Sequence, residues 1–344
     1  MNVMRVLLAL FFAVTLALSS LAVAGSYPVP PEHLKEKARP VLEINGVLYV
    51  DAREDGLLEI GVTNRGLAES VEVRLRELGV PISLVRIVER PPIFELDTLR
   101  DKVRPLVGGL QIAFVKRGLT YVCTLGFNAK IDVNRDGIVD YEGFVANSHC
   151  TGKEFGLDGT THYQPLPPQG IGIEVLDPQA FDCGLRGLKC RWSDAAFSRI
   201  FNGVSAIIGY IAMTSGVNDG SLTITGNFRI LGENVGNAAL GTVLRKVGRT
   251  TGQTEGVVTN TCADVRPIGS KVVRLCQDIV SASQQIVGGG DSGSPVFRLQ
   301  DDPATSEVDV ILYGILWGGS SDGTMFVYSP ITNVENDLGL LQAS

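Results

Sequence analysis

Residues 288–295 read Gly-Gly-Gly-Asp-Ser-Gly-Ser-Pro. A serine hydroxyl is a poor nucleophile until a base takes its proton. Glycines around it leave backbone N–H groups free to face a developing oxyanion. The base has few candidates, because the chain has only three histidines: His33, His149 and His162. His33 sits in a charged stretch and His162 in a Gly/Thr/Pro loop, so both are expected at the solvated surface. His149 follows the apolar run Gly143-Phe144-Val145-Ala146 and precedes Cys150, a place where a lone histidine would ordinarily be structural.

Taken together, these segments resemble the chymotrypsin-like serine proteases, in particular the bacterial branch of alpha-lytic protease and the streptogrisins. Gly290-Asp291-Ser292-Gly293-Ser294-Pro295 resembles the family's nucleophile motif GDSGGP, and Asn147-Ser148-His149-Cys150 the strand end that presents its histidine. Leu106-Val107-Gly108-Gly109 is similar to the start of the mature enzymes, and Gly248-Arg249-Thr250-Thr251-Gly252 to their GRTTG segment. Gly314-Ile315-Leu316-Trp317-Gly318-Gly319 resembles the substrate-binding strand. The resemblance runs in order from Leu106 to about Ile331. There are departures: Ser294 replaces a glycine, and Gly288-Gly289 stand where many relatives carry a cysteine and a larger residue.

The resemblance implies a serine endopeptidase working through a His–Asp–Ser triad and an acyl-enzyme. Ser292 is the implied nucleophile and His149 the base. The aspartate lies between them, with Asp158, Asp177, Asp182, Asp194 and Asp219 as candidates. Arg191-Trp192-Ser193-Asp194-Ala195-Ala196-Phe197 resembles the family's segment best, which favours Asp194 over Asp182. The N–H groups of Gly290 and Ser292 are the implied oxyanion hole, and an Arg249–Asp291 ion pair is expected to hold that loop. Ile286 is expected at the base of the primary pocket, with Leu316, Trp317 and Gly318 along its side. No acid stands at the base, which disfavours a preference for Lys or Arg and leaves an apolar residue as the expectation. The competing reading, from another class, is a catalytically inactive protease-fold binding protein, against which the intact His149/Asp194/Ser292 set argues.

The elements that must position these residues are legible in the pattern. From Leu106 onward, short β-branched runs such as GLQIAFV, SAIIGYIAM, VVRLCQDIV and DVILYGILW alternate with Gly, Asn, Asp and Ser clusters, the signature of an all-β barrel or sandwich. The resemblance makes it a two-barrel protease domain over 106–344. Residues 25–104 differ: they hold 12 Lys+Arg and 14 Asp+Glu in 80 residues and no cysteine, against 17 and 23 in the 240 residues that follow. Strand-like runs at 47–52, 57–63 and 82–89 and a helical face over 67–78 predict a small α+β unit. A linker is expected at 90–105. In the alpha-lytic branch a segment in this position is a pro region that assists folding and blocks the site. That implies domains at 25–105 and 106–344, with a cut just before Leu106.

Met1–Ala24 reads as a secretory signal peptide, with Arg5, an apolar run and the small-x-small ending Ala22-Val23-Ala24. Six cysteines in an exported chain imply disulfides, and none has CxxC spacing. Of 15 possible pairings, the neighbour set Cys123–Cys150, Cys183–Cys190 and Cys262–Cys276 closes the shortest loops. A net charge of −7 and the absence of a basic run disfavour nucleic acid as a partner. The expected partners are polypeptide substrates and the chain's own pro region, around a secreted monomer. No cofactor is expected for catalysis. Asp132, Asn134, Asp136 and Asp140 resemble the start of a calcium loop, with Gly137 at its turn; a plain hairpin tip at 135–137 is the other reading.

Overall fold

The computed structural model of the chain describes residues 32–91, 93, 97–300 and 308–344. The signal-peptide reading and the side chain of His33 fall outside the described parts. Among the described residues no helix is long and apolar enough to cross a membrane. The chain divides into two compact units, 1–95 and 96–344.

The first unit is the small α+β fold that the pattern predicts. Strands Val47–Ala52 and Leu58–Val62 pair antiparallel across a short turn, and Leu58–Val62 pairs in parallel with Val85–Glu89. A parallel pair needs a crossover, which helix Ala68–Glu77 provides. Its inward residues Val71 and Leu75 pack with Leu58, Ile60 and Val62, all fully buried.

The second unit is all-β. One sheet of eight runs in the order Leu340–Gln342, Phe127–Asp132, Tyr141–Asn147, Ala195–Ile200, Gly170–Leu176, Thr161–Tyr163, Gln111–Lys116, Leu119–Thr124. In the other, six strands close on themselves. Val272–Ser281 pairs with Gly252–Val265, then Val243–Gly248, Pro295–Gln300, Val308–Gly319 and Met325–Pro330 follow, and the last returns to Val272–Ser281. Closure removes sheet edges and leaves an interior filled by Leu244, Val258, Val280, Val296, Leu316, Phe326 and Tyr328. A larger core joins the two sheets, with Phe127, Phe144 and Phe197 from the first meeting Phe228, Phe297 and Ile315 from the second.

The unit boundary falls ten residues before the one expected at 105/106. Residues 97–105 are part of the β unit rather than a linker. Thr98 bridges Thr223, and the Leu99 N–H donates to the Leu222 carbonyl at 3.0 Å. Arg100 Nε donates to the Arg249 carbonyl at 2.9 Å, and Leu99 is fully buried. Asp97, Arg100, Asp101 and Lys102 stay exposed, whereas Arg104 is half-buried against Gln164, and the backbone of the stretch is paired.

Candidate active site

His149 and Asp194 are brought together by strand register. Asn147, at the end of Tyr141–Asn147, lies opposite Ala195 at the start of the next strand. The Asp194 carbonyl then accepts from Ser148 N–H at 3.1 Å and from Asn147 Nδ2 at 2.7 Å. His149 follows in a single 3-10 turn, Ser148–Cys150. Asp194 Oδ1 accepts from the His149 backbone N–H at 3.1 Å and lies 3.2 Å from His149 Nδ1. Of the five candidate aspartates, Asp194 alone meets His149. Asp177 receives Ser148 Oγ and Arg191, while the Oδ1 atoms of Asp158, Asp182 and Asp219 accept from nearby loop N–H groups. Asp194 is fully buried, whereas the His149 side chain is 30% exposed. With Nδ1 against the carboxylate, Nε2 is left for a second partner.

Burial alone would lower the His149 pKa, but the Asp194 carboxylate more than offsets it and the net shift is upward. Burial alone would raise the Asp194 pKa; the His149 and Arg274 charges reverse that and hold it far below the usual carboxylate range. Arg274 was not foreseen. Its Nη2 donates to Asp194 Oδ2 at 2.6 Å.

Ser292 sits in the turn that enters strand Pro295–Gln300. Gly290 and Gly293 adopt φ of +99° and +96°, a region that favours glycine. A Cβ on Gly293 would collide with the Thr124 carbonyl oxygen. The turn is pinned from within: Asp291 N–H donates to the Gly288 carbonyl at 3.0 Å and Ser294 N–H to that of Asp291 at 2.9 Å. Among the described residues the N–H groups of Gly289, Gly290 and Ser292 have no acceptor, while those of Gly288, Asp291, Gly293 and Ser294 do.

Asp291 is fully buried, but its cation is Lys246 rather than Arg249. Lys246 Nζ lies 3.3 Å from Asp291 Oδ2, and both side chains are fully buried. Asp291 also accepts from the N–H groups of Gly288, Thr250 and Thr251 and from Thr251 Oγ1. Arg249 instead donates Nε to Gln111 Oε1 at 2.7 Å. The reason is direction: Lys246 points inward from strand Val243–Gly248, while the Arg249 guanidinium is led away by Gln111 and Thr250.

Thr124 ties the two halves of the site. Its N–H donates to the Ser292 carbonyl at 2.8 Å and its Oγ1 to the Gly290 carbonyl at 3.0 Å. The preceding residue, Cys123, is disulfide-bonded to Cys150, the neighbour of His149. The structure also pairs Cys183 with Cys190 and Cys262 with Cys276, so all three bridges join neighbours in sequence. Among the described residues Ser292 Oγ makes no hydrogen bond.

No family model and no curated protein matches this chain. Solved structures do. Thermobifida fusca protease A is 21% identical and covers 69% of this chain and 96% of its own, with a TM-score of 0.45. The Nocardiopsis protease NAPase, at 21%, covers 69% and 97% with 0.44, and alpha-lytic protease homolog N4, at 18%, covers 69% and 98% with 0.44. These neighbours are bacterial chymotrypsin-like serine proteases.

Two cavities flank Gly318–Ser321. One, of about 400 Å³, is lined by Ser292, Gln285, Val287, Leu316, Gly318 and Gly323 among others. The other, of about 680 Å³, has His149, Asp194, Arg274, Trp317 and Met325 in its wall. Ile286, expected at the pocket base, is fully buried in the barrel core instead. Gln285 and Val287 line the cavity on either side of it, while Val287 also reaches the same barrel core as Ile286. Trp317 likewise belongs to the second cavity, where its Nε1 donates to Gln277 Oε1 at 2.8 Å.

Two other expectations change. His162 is fully buried, with its ring nitrogens 3.0 Å from the Cys150 carbonyl and from Ser198 Oγ. Its strand Thr161–Tyr163 lies inside the first sheet, which the polar flanking residues concealed. The 132–140 loop closes on itself. Asp132 accepts from the N–H groups of Asp136 and Gly137, Asn134 from Asp136, Asp136 from Ile138, and Asp140 from Val133. Among the described residues no three of its carboxylates have oxygens within 4.8 Å of one another.

Proposed function

We propose that the β unit is a serine endopeptidase in which Ser292 attacks the scissile carbonyl and His149 takes its proton and returns it to the leaving amine. Asp194 fixes the tautomer that leaves Nε2 free to accept, and stabilises the imidazolium. The observation that carries the reading is the coincidence of a carboxylate-oriented imidazole with a glycine turn whose Gly290 and Ser292 N–H groups lack acceptors. Those donors suit the oxyanion, and losing one such donor typically costs about 3–4 kcal/mol in the transition state. Because the Lys246–Asp291 pair holds the turn, the active form would not depend on a newly freed N-terminus.

The chain is read as exported, with 1–24 removed, and the α+β unit as a pro region that assists folding and inhibits. A cut before Leu106 would strip paired backbone from the β unit, so the processing site is placed upstream of Asp97. N-terminal sequencing of the secreted protein tests this; a mature chain beginning at Leu106 would refute it. An organophosphate adduct on Ser292 of the processed form, and a loss of roughly four to six orders of magnitude in kcat for Ser292→Ala with the fold intact, test the chemistry. Undiminished peptidase activity in that variant would refute Ser292 as the nucleophile, whereas a processed wild-type protein with neither adduct nor peptidase activity would leave the inactive binding protein as the better account.

A further inference from the structure

A buried cation beside the His149–Asp194 pair comes from a residue that the proposed triad does not include. Arg274 lies on strand Val272–Ser281 opposite Arg191 in the adjoining strand, and it is only 3% exposed. Its guanidinium is clamped between two aromatic rings, 4.9 Å from the centroid of Phe155 and 4.8 Å from that of Trp317. Phe155 holds its place at φ +55°, which is strained for a bulky residue, with its N–H on Ser148 Oγ at 2.7 Å. Nη2 reaches Asp194 Oδ2 at 2.6 Å and Glu154 Oε1 at 2.9 Å. Nε is buried without a partner, so the side chain tolerates an unmet donor to keep this orientation.

We propose that Arg274 is a positioning residue for the His149–Asp194 pair: it takes the carboxylate oxygen that His149 does not use, and with Glu154 it sets the field at the imidazole. The proposal rests on the peptidase reading of this same site. The division of oxygens is strict. Asp194 Oδ1 serves His149 through both its backbone N–H and Nδ1, and Oδ2 serves Arg274. A carboxylate gripped at both oxygens cannot rotate, so the imidazole plane is fixed from behind. A cation here also offsets part of the carboxylate's pull on the imidazolium proton, and Glu154, with 42% of its side chain exposed, offsets part of the cation. The charged groups acting on His149 are thus Asp194, Glu154 and Arg274, the first two favouring the protonated ring and the third opposing it. The result is a base that stays neutral at lower pH than an unopposed Asp194 would allow.

The test is the acid limb of kcat/KM in the mature enzyme, paired with the NMR titration of the His149 ring in a Ser292→Ala background. Arg274→Met should move both upward by about one pH unit, a tenfold loss of kcat/KM on the acid side, with KM little changed. Arg274→Lys should restore the wild-type limb, because it returns the charge even where the ring clamp is poorer. Glu154→Gln, on a half-exposed side chain that folding does not need, should move the limb the other way by a few tenths of a unit. A limb and a ring titration that coincide with wild type in a folded Arg274→Met protein overturn the proposal. If Arg274→Met does not fold, Arg274→Gln, which keeps donors but not the charge, takes its place: an upward shift of limb and ring titration supports the proposal, and none overturns it. Wild-type protein without peptidase activity or a Ser292 adduct would sink the peptidase reading instead, while the ring titration still reads the Arg274 coupling.

Discussion

Asp194 and Asp291 lie under the two halves of the site and look alike at first. Each is fully buried, and each has a buried cation on Oδ2, Arg274 for one and Lys246 for the other. They differ in what the remaining acceptor capacity does. Asp291 gives it to the loop, through the N–H groups of Gly288, Thr250 and Thr251 and the Thr251 hydroxyl. Asp194 keeps Oδ1 for His149. A buried carboxylate needs full pairing to be tolerable; whether it builds a loop or tunes a base depends on which groups complete the pairing.

That contrast predicts a double dissociation. Asp194→Asn should lower kcat by about four orders of magnitude, because the amide no longer holds the Nδ1–H tautomer. Its cost in stability should be the smaller one, since Glu154 still pairs with Arg274. Asp291→Ala should destabilise by roughly 3–5 kcal/mol, because Lys246 is left as a buried charge without its counterion. Denaturant unfolding read beside turnover measures both. Unchanged unfolding of Asp291→Ala would break the comparison.

A second contrast sits on the His149 side. His149 has a carboxylate neighbour and a raised pKa; His162 is buried against neutral acceptors, and burial pushes it down to about 4. A histidine whose folded pKa lies below its unfolded value near 6.5 binds its proton more readily when unfolded. Its contribution is therefore complete above that value and is lost as pH falls through 6.5 towards 4. The loss should approach roughly 3 kcal/mol relative to His162→Gln. Glu174, raised to about 7 by burial, titrates in the opposite sense and cancels in that comparison. Stabilities of wild type and variant that run parallel from pH 7 to pH 4 would show that His162 bears no such penalty. Activity follows the other histidine, and since the neutral ring is the base, its acid limb should lie above 6.5.

The residues that do chemistry were the most legible, because a nucleophile turn and a histidine at a strand end carry local signatures. Strand content was legible for the same reason: runs such as DVILYGILW have no other way to bury themselves. The counterions were not. Lys246 and Arg274 sit in strands whose periodicity marks them as ordinary interruptions, and only the tertiary register brings them to Asp291 and Asp194. The expected 105/106 boundary followed the likeness of Leu106–Gly109 to the start of a mature enzyme, while the backbone pairing of 97–105 depends on partners beyond residue 200 that leave no local trace.

The smallest expected effect separates spacing from facing at the pocket. Counting back six residues from Ser292 reaches Ile286, yet its side chain packs in the barrel core with Leu244, Val258 and Val280. Its backbone is held on both sides, with its N–H on the Gly323 carbonyl at 2.7 Å and its carbonyl receiving Thr254 Oγ1 at 2.8 Å. A segment fixed this way cannot turn over, so its neighbours face the cavity. Ile286→Val should therefore cost about 1 kcal/mol of stability, the usual result of deleting one buried methylene, with the preference for the residue before the scissile bond unaltered. Gln285→Ala should do the reverse, with little effect on unfolding and a changed ranking among apolar and polar peptide substrates, since it removes a polar wall from a cavity that Ser292 also lines. Competition assays on mixed peptide substrates read the ranking directly. A specificity that moved with Ile286 and not with Gln285 would put Ile286 in the pocket wall.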